Sequence, residues 1–246
     1  MQIDRWLPFA SMLVTAIFAA AVLRRYVRRR RPYLLFWGLG LVFYGLGAFA
    51  EFYSTLAWSP LVFRLWYIGG ALLTAAWLGQ GTVFLLVRRG RIAFYLMVLL
   101  LIGSALAVIV MFNTPLNAGA FSPDRPLSVQ YKTDREAGIV GILPEGALVR
   151  KLTPIFNLYG TVALVGGAIY SSWIFWRKRI LPNRMIGNIL IAVGALSPAF
   201  GGTLSRLGMP EFLYISELLG AVLMFIGFLQ ATAVPEAAPS PRPSRA

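Results

Sequence analysis

Seven long apolar runs, separated by short charged breaks, constrain the fold of this chain more than any other feature. They extend over Leu7–Leu23, Tyr33–Leu56, Pro60–Val87, Ile92–Phe112, Pro154–Trp176, Met185–Ser205 and Pro210–Ala231. A helix of about 20 residues crosses the hydrocarbon core of a bilayer, and each run is close to that length. Charged residues make up 13% of the chain, against about a quarter in a soluble domain. The sequence therefore predicts an all-α membrane protein, a seven-transmembrane-helix bundle.

Basic residues cluster at every second break between these runs, where no acidic residue accompanies them. They are Arg24, Arg25, Arg28, Arg29, Arg30, Arg31, Arg88, Arg89, Arg91, Arg177, Lys178, Arg179 and Arg184. Cytoplasmic loops of membrane proteins carry an excess of lysine and arginine. The pattern therefore predicts an odd number of spans, with the amino terminus outside and the carboxyl terminus cytoplasmic. We expect a multi-pass protein of the cell membrane, in a bacterial cytoplasmic membrane.

The first basic cluster is also a candidate site for the head groups of anionic lipids. It consists of Arg24, Arg25, Arg28, Arg29, Arg30 and Arg31. Membrane topology alone is the alternative explanation for these arginines. The net charge of +14 would indicate nucleic acid in a soluble protein, but these basic residues adjoin apolar spans, so we expect no nucleic-acid partner. A homo-oligomer and a membrane partner protein both remain open.

The chain contains no cysteine and no histidine. Their absence excludes disulfides, thiolate nucleophiles, imidazole bases, haem held by histidine and most zinc sites. The last apolar run has no lysine, which excludes a retinal protein of the rhodopsin type. No nucleophile motif such as GxSxG is present. We therefore expect no cofactor, no metal site and no enzymatic activity.

One integral domain of residues 1–234 accounts for the seven runs. Its long external loop spans residues 113–153, and loops of this length are usually functional or disordered. Val129–Tyr131 and Ile139–Leu143 are candidate short strands, so a small lid over the outer face and a flexible connector are both open. Residues 235–246 are rich in proline, alanine and serine, which predicts a disordered cytoplasmic tail.

A proline lies near the start of each helix that enters from outside. The four are Pro8, Pro60, Pro154 and Pro210, and proline suits the first helical turn because the missing N–H costs little there. Ser59 and Thr153 precede two of them and are predicted helix caps.

When the sequence is aligned with itself at an offset of 150 residues, the predicted helix ends coincide. Pro60 then meets Pro210, and Gly70 meets Gly220. A true repeat would make the bundle a 3+1+3 arrangement, with two parallel halves and the fourth helix as a linker. Parallel repeats of this kind are one plan of membrane transporters. Chance identities in such apolar spans are the alternative.

Charged residues inside the spans are the main candidates for a functional site, because they are costly in hydrocarbon and usually face the bundle interior. Glu51, Arg64, Arg206 and Glu217 form this candidate polar site, in the outer half of the membrane. Glu51 and Arg64 flank a short hairpin, which predicts an ion pair. Glu211 follows Pro210 and is interpreted as a helix cap.

Glu217 lies about 10 Å beyond Pro210 along its helix, too deep for capping. It needs a partner or a proton, and Arg206, Arg64 and the hydroxyl of Tyr67 are candidate partners. In the sixth span, Pro198 with Gly201 and Gly202 is a candidate helix bend. Broken helices often line the substrate sites of transporters.

Two functions fit these features. The first is a small-solute transporter or permease-like carrier, which predicts that the four charged residues converge on a polar cavity between the two halves. The alternative is a membrane-embedded sensor, an assembly factor or a subunit of a larger membrane complex. It predicts an ordered external loop that carries exposed apolar residues.

Overall fold

A computed structural model describes residues 3–87, 91–134, 138, 140–178, 182–207, 209 and 211–232, apart from the side chains of residues 3–5, 182, 206 and 211. Its seven long helices are apolar enough to cross a membrane, so the predicted all-α seven-helix bundle is confirmed. In chain order they are α1 (Ile3–Arg29), α2 (Pro32–Ser54), α3 (Pro60–Leu86), α4 (Ile92–Asn113), α5 (Leu148–Arg177), α6 (Pro182–Arg206) and α7 (Glu211–Thr232). The predicted tail of residues 235–246 lies outside the described residues, as does Pro210.

Two helices extend well beyond their predicted bounds. Helix α1 continues to Arg29, so most of the first basic cluster is helical rather than part of a loop. Helix α5 begins at Leu148 and contains Pro154 in its second turn. The predicted cap at Thr153 is therefore wrong, and its hydroxyl donates to Val149 O instead. The cap at Ser59 is confirmed, because its side chain accepts a hydrogen bond from Val62 N–H.

Six helices form a closed ring in the order α1, α2, α3, α5, α6, α7, and α7 packs back against α1. Helix α4 lies outside this ring, against α3 and α5. Its side chains Tyr95, Leu99 and Ile109 are more than half exposed, as expected for a helix that faces lipid. The ring divides into α1–α3 and α5–α7, which is the division that the repeat requires, but the repeat itself stays a prediction.

Glycine contacts bring the second and third helices of each half close together. Gly70 of α3 lies against Gly47 of α2, and Gly220 of α7 lies against Gly194 of α6. A Cβ on Gly47 would lie 2.7 Å from Gly70 Cα, so these positions hold backbones at a distance that no larger residue allows. Small residues drive helix association in membranes, where apolar burial gives no preference for protein over lipid.

Two π-helical segments interrupt α3 and α5, at Trp66–Leu73 and Val162–Gly166. A π-helical turn leaves backbone carbonyls without their usual donors, and such turns are frequent at functional sites. Side chains satisfy two of these carbonyls in α3: Thr74 Oγ1 donates to Gly69 O, and Asn157 Nδ2 donates to Ala71 O across the gap from α5. Both segments face the interior of the ring.

The external loop is a folded lid, defined here as residues 114–134 and 140–147. Its only α-helical turn is Leu127–Gln130 in the described part, where the predicted strand Val129–Tyr131 is wrong. Ile142 N–H and Leu143 N–H donate to the carbonyls of Gln130 and Tyr131 without forming a strand. Ile139 lies outside the described residues.

The side chain of Gln130 organises the lid from within. It is 1% exposed, accepts from Ser122 N–H, and donates to the carbonyls of Ser122 and Arg125. Leu127, Ile142 and Leu143 are fully buried against the outer ends of the helices. The lid therefore packs as part of the hydrophobic core.

Candidate functional site

A cavity of about 320 Å³ lies inside the ring below the lid, and we call it the outer cavity. Helices α2, α3, α5, α6 and α7 line it, whereas α1 and α4 contribute nothing from their described residues. Its polar lining residues are Tyr44, Glu51, Trp66, Thr74, Ser128, Asn157, Thr161 and Glu217. The remaining wall is made of glycine, alanine, proline and larger apolar side chains.

Glu51 joins the lid to the membrane helices. Its Oε2 accepts hydrogen bonds from Leu127 N–H of the lid and from the Tyr214 hydroxyl of α7, both at 3.1 Å. The residue is 2% exposed, yet its Oε1 has no hydrogen-bond partner within the described part of the protein. One carboxyl oxygen therefore joins the lid to α7, and the other is buried in a residue that lines the cavity.

Glu217 reaches the same cavity from the opposite side of the ring. Tyr44 of α2 donates to its backbone carbonyl at 2.7 Å, which fixes this turn of α7 against α2. Among the described residues, nothing forms a hydrogen bond or an ion pair with its carboxyl group. Glu217 and Glu51 line the same cavity, so the two acidic groups share one space.

The lid contributes Ser128 to the cavity wall. Its hydroxyl is buried and, like Glu51 Oε1, has no partner in the described structure. Buried polar groups are almost always hydrogen-bonded, and exceptions indicate a missing ligand, ion or water. Two unpartnered polar atoms on one cavity therefore favour a polar occupant at the outer end.

Arg64 does not join the carboxyl groups, so the predicted ion pair with Glu51 is wrong within the part of the chain that is described. Its guanidinium donates to the carbonyls of Met111 and Thr114 at the end of α4, at 3.4 and 3.3 Å. It also lies 5.6 Å from the ring centre of Phe112. The last carbonyls of a helix lack intrahelical donors and attract cations, which explains this alternative partner.

The other candidate partners of Glu217 lie apart from it or cannot be described. The hydroxyl of Tyr67 is 3.0 Å from Thr153 Oγ1, in a pair that links α3 to α5. The side chains of Arg206 and Glu211 lie outside the described residues. Of the four predicted site residues, Glu51 and Glu217 therefore line one cavity, and Arg64 does not.

The candidate bend in α6 is a continuous helix in the structure. Pro198 lines the outer cavity, and its ring lies beside Gly220 of α7. A Cβ at Gly201 would overlap the hydroxyl of Ser216, whereas one at Gly202 would meet nothing within 4 Å. Pro198 and Gly201 therefore set the close contact between α6 and α7, and Gly202 has no part in it.

Two further cavities continue from the outer cavity towards the basic end of the bundle. A space of about 30 Å³, which we call the constriction, shares Leu78, Leu164 and Met224 with the outer cavity. Beyond it lies a space of about 430 Å³, the inner vestibule. The constriction and the vestibule share Trp37, Ile191 and Phe228.

The inner vestibule has the opposite charge to the outer cavity. Its wall includes Arg25 and Arg29 of α1 and Arg184 of α6, with no acidic residue among the described lining residues. Because the ends of α1, α3, α5 and α7 meet here, the alternate basic breaks of the sequence lie at one end of the bundle. That end is cytoplasmic if the orientation predicted from charge is right.

The outer cavity has acidic groups and no basic group among the residues described in its wall. A carboxylate inside a membrane protein is costly without a compensating charge, and neither carboxyl group has a basic partner among the described residues of the wall. No group of three or more acidic side chains in the described residues could hold a metal ion. The cavity chemistry therefore favours a proton or a monovalent cationic solute.

Sequence reasoning missed Tyr44, Trp66 and Ser128 as cavity residues. The sequence could have indicated Tyr44 as a cavity residue, because it lies two helical turns before Glu51 and shares its helix face with Gly47. It could not have indicated Ser128, since the position of Ser128 depends on how the lid folds. The π-helical segment that turns Trp66 inward was also missed, although the pair Gly69 and Gly70 indicated a local irregularity.

No protein-family model, no curated protein and no solved structure matches this chain. A function therefore cannot be transferred from a relative. The chemistry of the cavity walls is the available basis for assigning one.

Proposed function

We propose that this protein is a carrier, not an enzyme, and that it moves a small cationic solute through the helix ring. The observation that supports the proposal is the row of three cavities, which runs from the lid to the basic end of the bundle. The lid closes the outer cavity above Glu51. The apolar side chains of the constriction, among them Leu78 and Phe228, separate it from the inner vestibule.

This arrangement is that of an occluded carrier site. A solute bound in the outer cavity lies between Ser128 of the lid on one side and the constriction on the other. Alternating access requires that each barrier opens in turn. Glu51 couples the outer barrier to the site, because its Oε2 accepts a hydrogen bond from Leu127 N–H and the residue lines the cavity.

The wall chemistry supports a small cationic solute. Two carboxyl groups provide charge, while Trp66 and Tyr44 provide aromatic faces that stabilise an ammonium group by cation–π contact. The small apolar residues between them suit a short alkyl substituent. Small-molecule sites range from about 300 to 1,000 Å³, so this cavity of about 320 Å³ takes a solute at the lower end.

Uptake into proteoliposomes tests the proposal. Tetramethylammonium, choline and guanidinium are suitable probes, because they keep their charge and cross a protein-free bilayer slowly. We expect uptake by the wild type, and at least a roughly tenfold lower initial rate for Glu217→Gln, since a charged hydrogen bond contributes about 1.5–3 kcal/mol. Asp124→Asn, on the exposed surface of the lid, is the matched control and should transport normally.

Three outcomes distinguish the alternatives. Absence of uptake above protein-free liposomes for every probe, charged or neutral, would overturn the carrier. Uptake of a neutral solute that depends on Glu217 would keep the carrier and reject the cationic class. Binding without uptake, measured by quenching of tryptophan fluorescence, would favour a membrane-embedded sensor. The ordered lid with its exposed Val140, next to the exposed Leu148 at the start of α5, fits that alternative.

A further inference from the structure

We propose that the inner vestibule is a binding site for a phosphate group. The site is distinct from the outer cavity, and the inference does not depend on transport. Its ligand is a phosphate monoester or diester, which the cytoplasm supplies as a soluble anion and the membrane supplies as the head group of an anionic lipid.

Charge in the vestibule wall is the first argument. Arg25, Arg29 and Arg184 converge from two helices on a space of about 430 Å³, and no acidic side chain is among its described lining residues. Three like charges around one space repel each other, and an anion between them removes that repulsion. Guanidinium groups match phosphate oxygens in paired hydrogen bonds, which is why arginine predominates at phosphate sites.

The helical phase of the arginines is the second argument. Orientation in the membrane requires only that basic residues lie near the inner interface. It does not require that Arg25 and Arg29, one turn apart on α1, point into the ring and meet Arg184 of α6. Arg24, Arg28 and Arg31 satisfy the orientation rule equally well and stay out of the vestibule wall.

Arg25 is held in place by the bundle. Its Nη2 donates to Thr232 O at 3.4 Å, and its guanidinium lies 5.7 Å from the ring centre of Phe228. One donor of five is used in this way, so the rest remain available to a ligand. Tyr33, Ser171 and Asn188 add uncharged polar groups to the wall, and an apolar floor of Trp37 and Ile191 lowers the local dielectric constant.

Thermal unfolding of the detergent-solubilised protein, followed by tryptophan fluorescence, tests the site. The probes are inorganic phosphate and dihexanoyl phosphatidylglycerol, with dihexanoyl phosphatidylcholine and sodium chloride as controls for lipid and ionic strength. At about 100 times the dissociation constant, we expect an active probe to raise the Tm of the wild type by roughly 5 °C.

Two triple variants with the same change in net charge separate the vestibule from the basic surface. In one, Arg25, Arg29 and Arg184 are replaced by glutamine; in the other, Arg24, Arg28 and Arg31 are replaced. We expect the first variant to lose the Tm shift and the second to keep it. The single change Arg184→Gln should weaken binding at least about tenfold, whereas Lys178→Gln should leave it unchanged.

The probes also identify the source of the phosphate. A shift with phosphatidylglycerol alone indicates a lipid head group, and a shift with inorganic phosphate as well indicates a soluble anion. Equal shifts in the two triple variants, or no shift with either probe in the wild type, would refute the site.

Discussion

The outer cavity and the inner vestibule are of similar volume, about 320 and 430 Å³, but they are built in opposite ways. The outer cavity is acidic, and its Glu51 lies deep among packed helices below a folded lid. The inner vestibule is basic, and Arg29 and Arg184 are exposed side chains near helix ends. One site has a buried carboxyl group beneath the lid, and the other has exposed arginines in its wall.

The difference shows which charges carry information about function. The orientation of the chain explains basic residues at the inner end without any ligand. It does not explain the carboxyl groups of Glu51 and Glu217, which belong to membrane-spanning helices, where an ionisable side chain is costly. Glu51 and Glu217 are therefore stronger indications of function than the more numerous arginines.

The comparison predicts that substitutions at the outer end cost the most stability. The largest effect is expected for Gly160→Val, because a Cβ at this position would overlap the carbonyl group of Ala75 in α3. Backbone cannot move away as a flexible side chain can, so we expect at least about 3 kcal/mol of destabilisation. Thermal unfolding in detergent measures it.

Gly166→Ala is the matched control on the same helix. A Cβ at Gly166 meets nothing within 4 Å, and alanine has the higher helix propensity. Its Tm should equal or exceed that of the wild type. Equal losses in the two variants would mean that the wall of the outer cavity is not held by close backbone contact.

Glu51→Leu is expected to release the lid. The change removes the acceptor of Leu127 N–H and of the Tyr214 hydroxyl, and a buried donor that loses its acceptor costs about 1–3 kcal/mol. Since the chain has no cysteine, Ile142→Cys introduces a single thiol at a fully buried position in the lid. Its reaction with a water-soluble maleimide should become at least about tenfold faster with Glu51→Leu.

Glu51→Gln separates the lid contact from the charge. Its amide oxygen can still accept both hydrogen bonds, so the thiol at position 142 should stay protected while transport is lost. Rapid labelling with Glu51→Gln would show that the negative charge, rather than hydrogen-bond geometry, holds the lid closed.

A smaller effect is expected for Arg64→Leu. The variant loses two long hydrogen bonds to the end of α4 and the contact with Phe112, which together should cost about 0.5–1.5 kcal/mol. Because Arg64 does not line the outer cavity, solute uptake should remain close to that of the wild type. A loss of uptake as large as that of Glu217→Gln would show that Arg64 is part of the functional site.

The number and approximate bounds of the helices could be predicted from the sequence, because a bilayer imposes a length on every apolar span. The extension of α1 to Arg29 could not, since charged residues end an apolar run without ending a helix. For the same reason the face of α1 that carries Arg25 and Arg29 was not recognised. The start of α5 at Leu148 was missed because a proline predicts the first turn of a helix, whereas Pro154 lies in the second turn and the helix continues through it.

The candidate site was predictable in part. The depth of Glu51 and Glu217 in their spans follows from the rise per residue, and both line the outer cavity. The partner of Arg64 depends on where α4 ends relative to α3, which no local pattern encodes. The fold of the lid could not be predicted either, because the buried amide of Gln130 organises it and no strand pattern in the sequence does.

The smallest effect on stability is expected at the inner end, for Arg184→Gln. The side chain is exposed, and substitutions at exposed positions usually change stability by no more than about 0.5 kcal/mol. In phosphate-free detergent its Tm should therefore match that of the wild type, in contrast to Gly160→Val, Glu51→Leu and Arg64→Leu. A large loss in that medium would mean that Arg184 is a structural part of the bundle, and the contrast between a buried acidic site and an exposed basic one would fail at this residue.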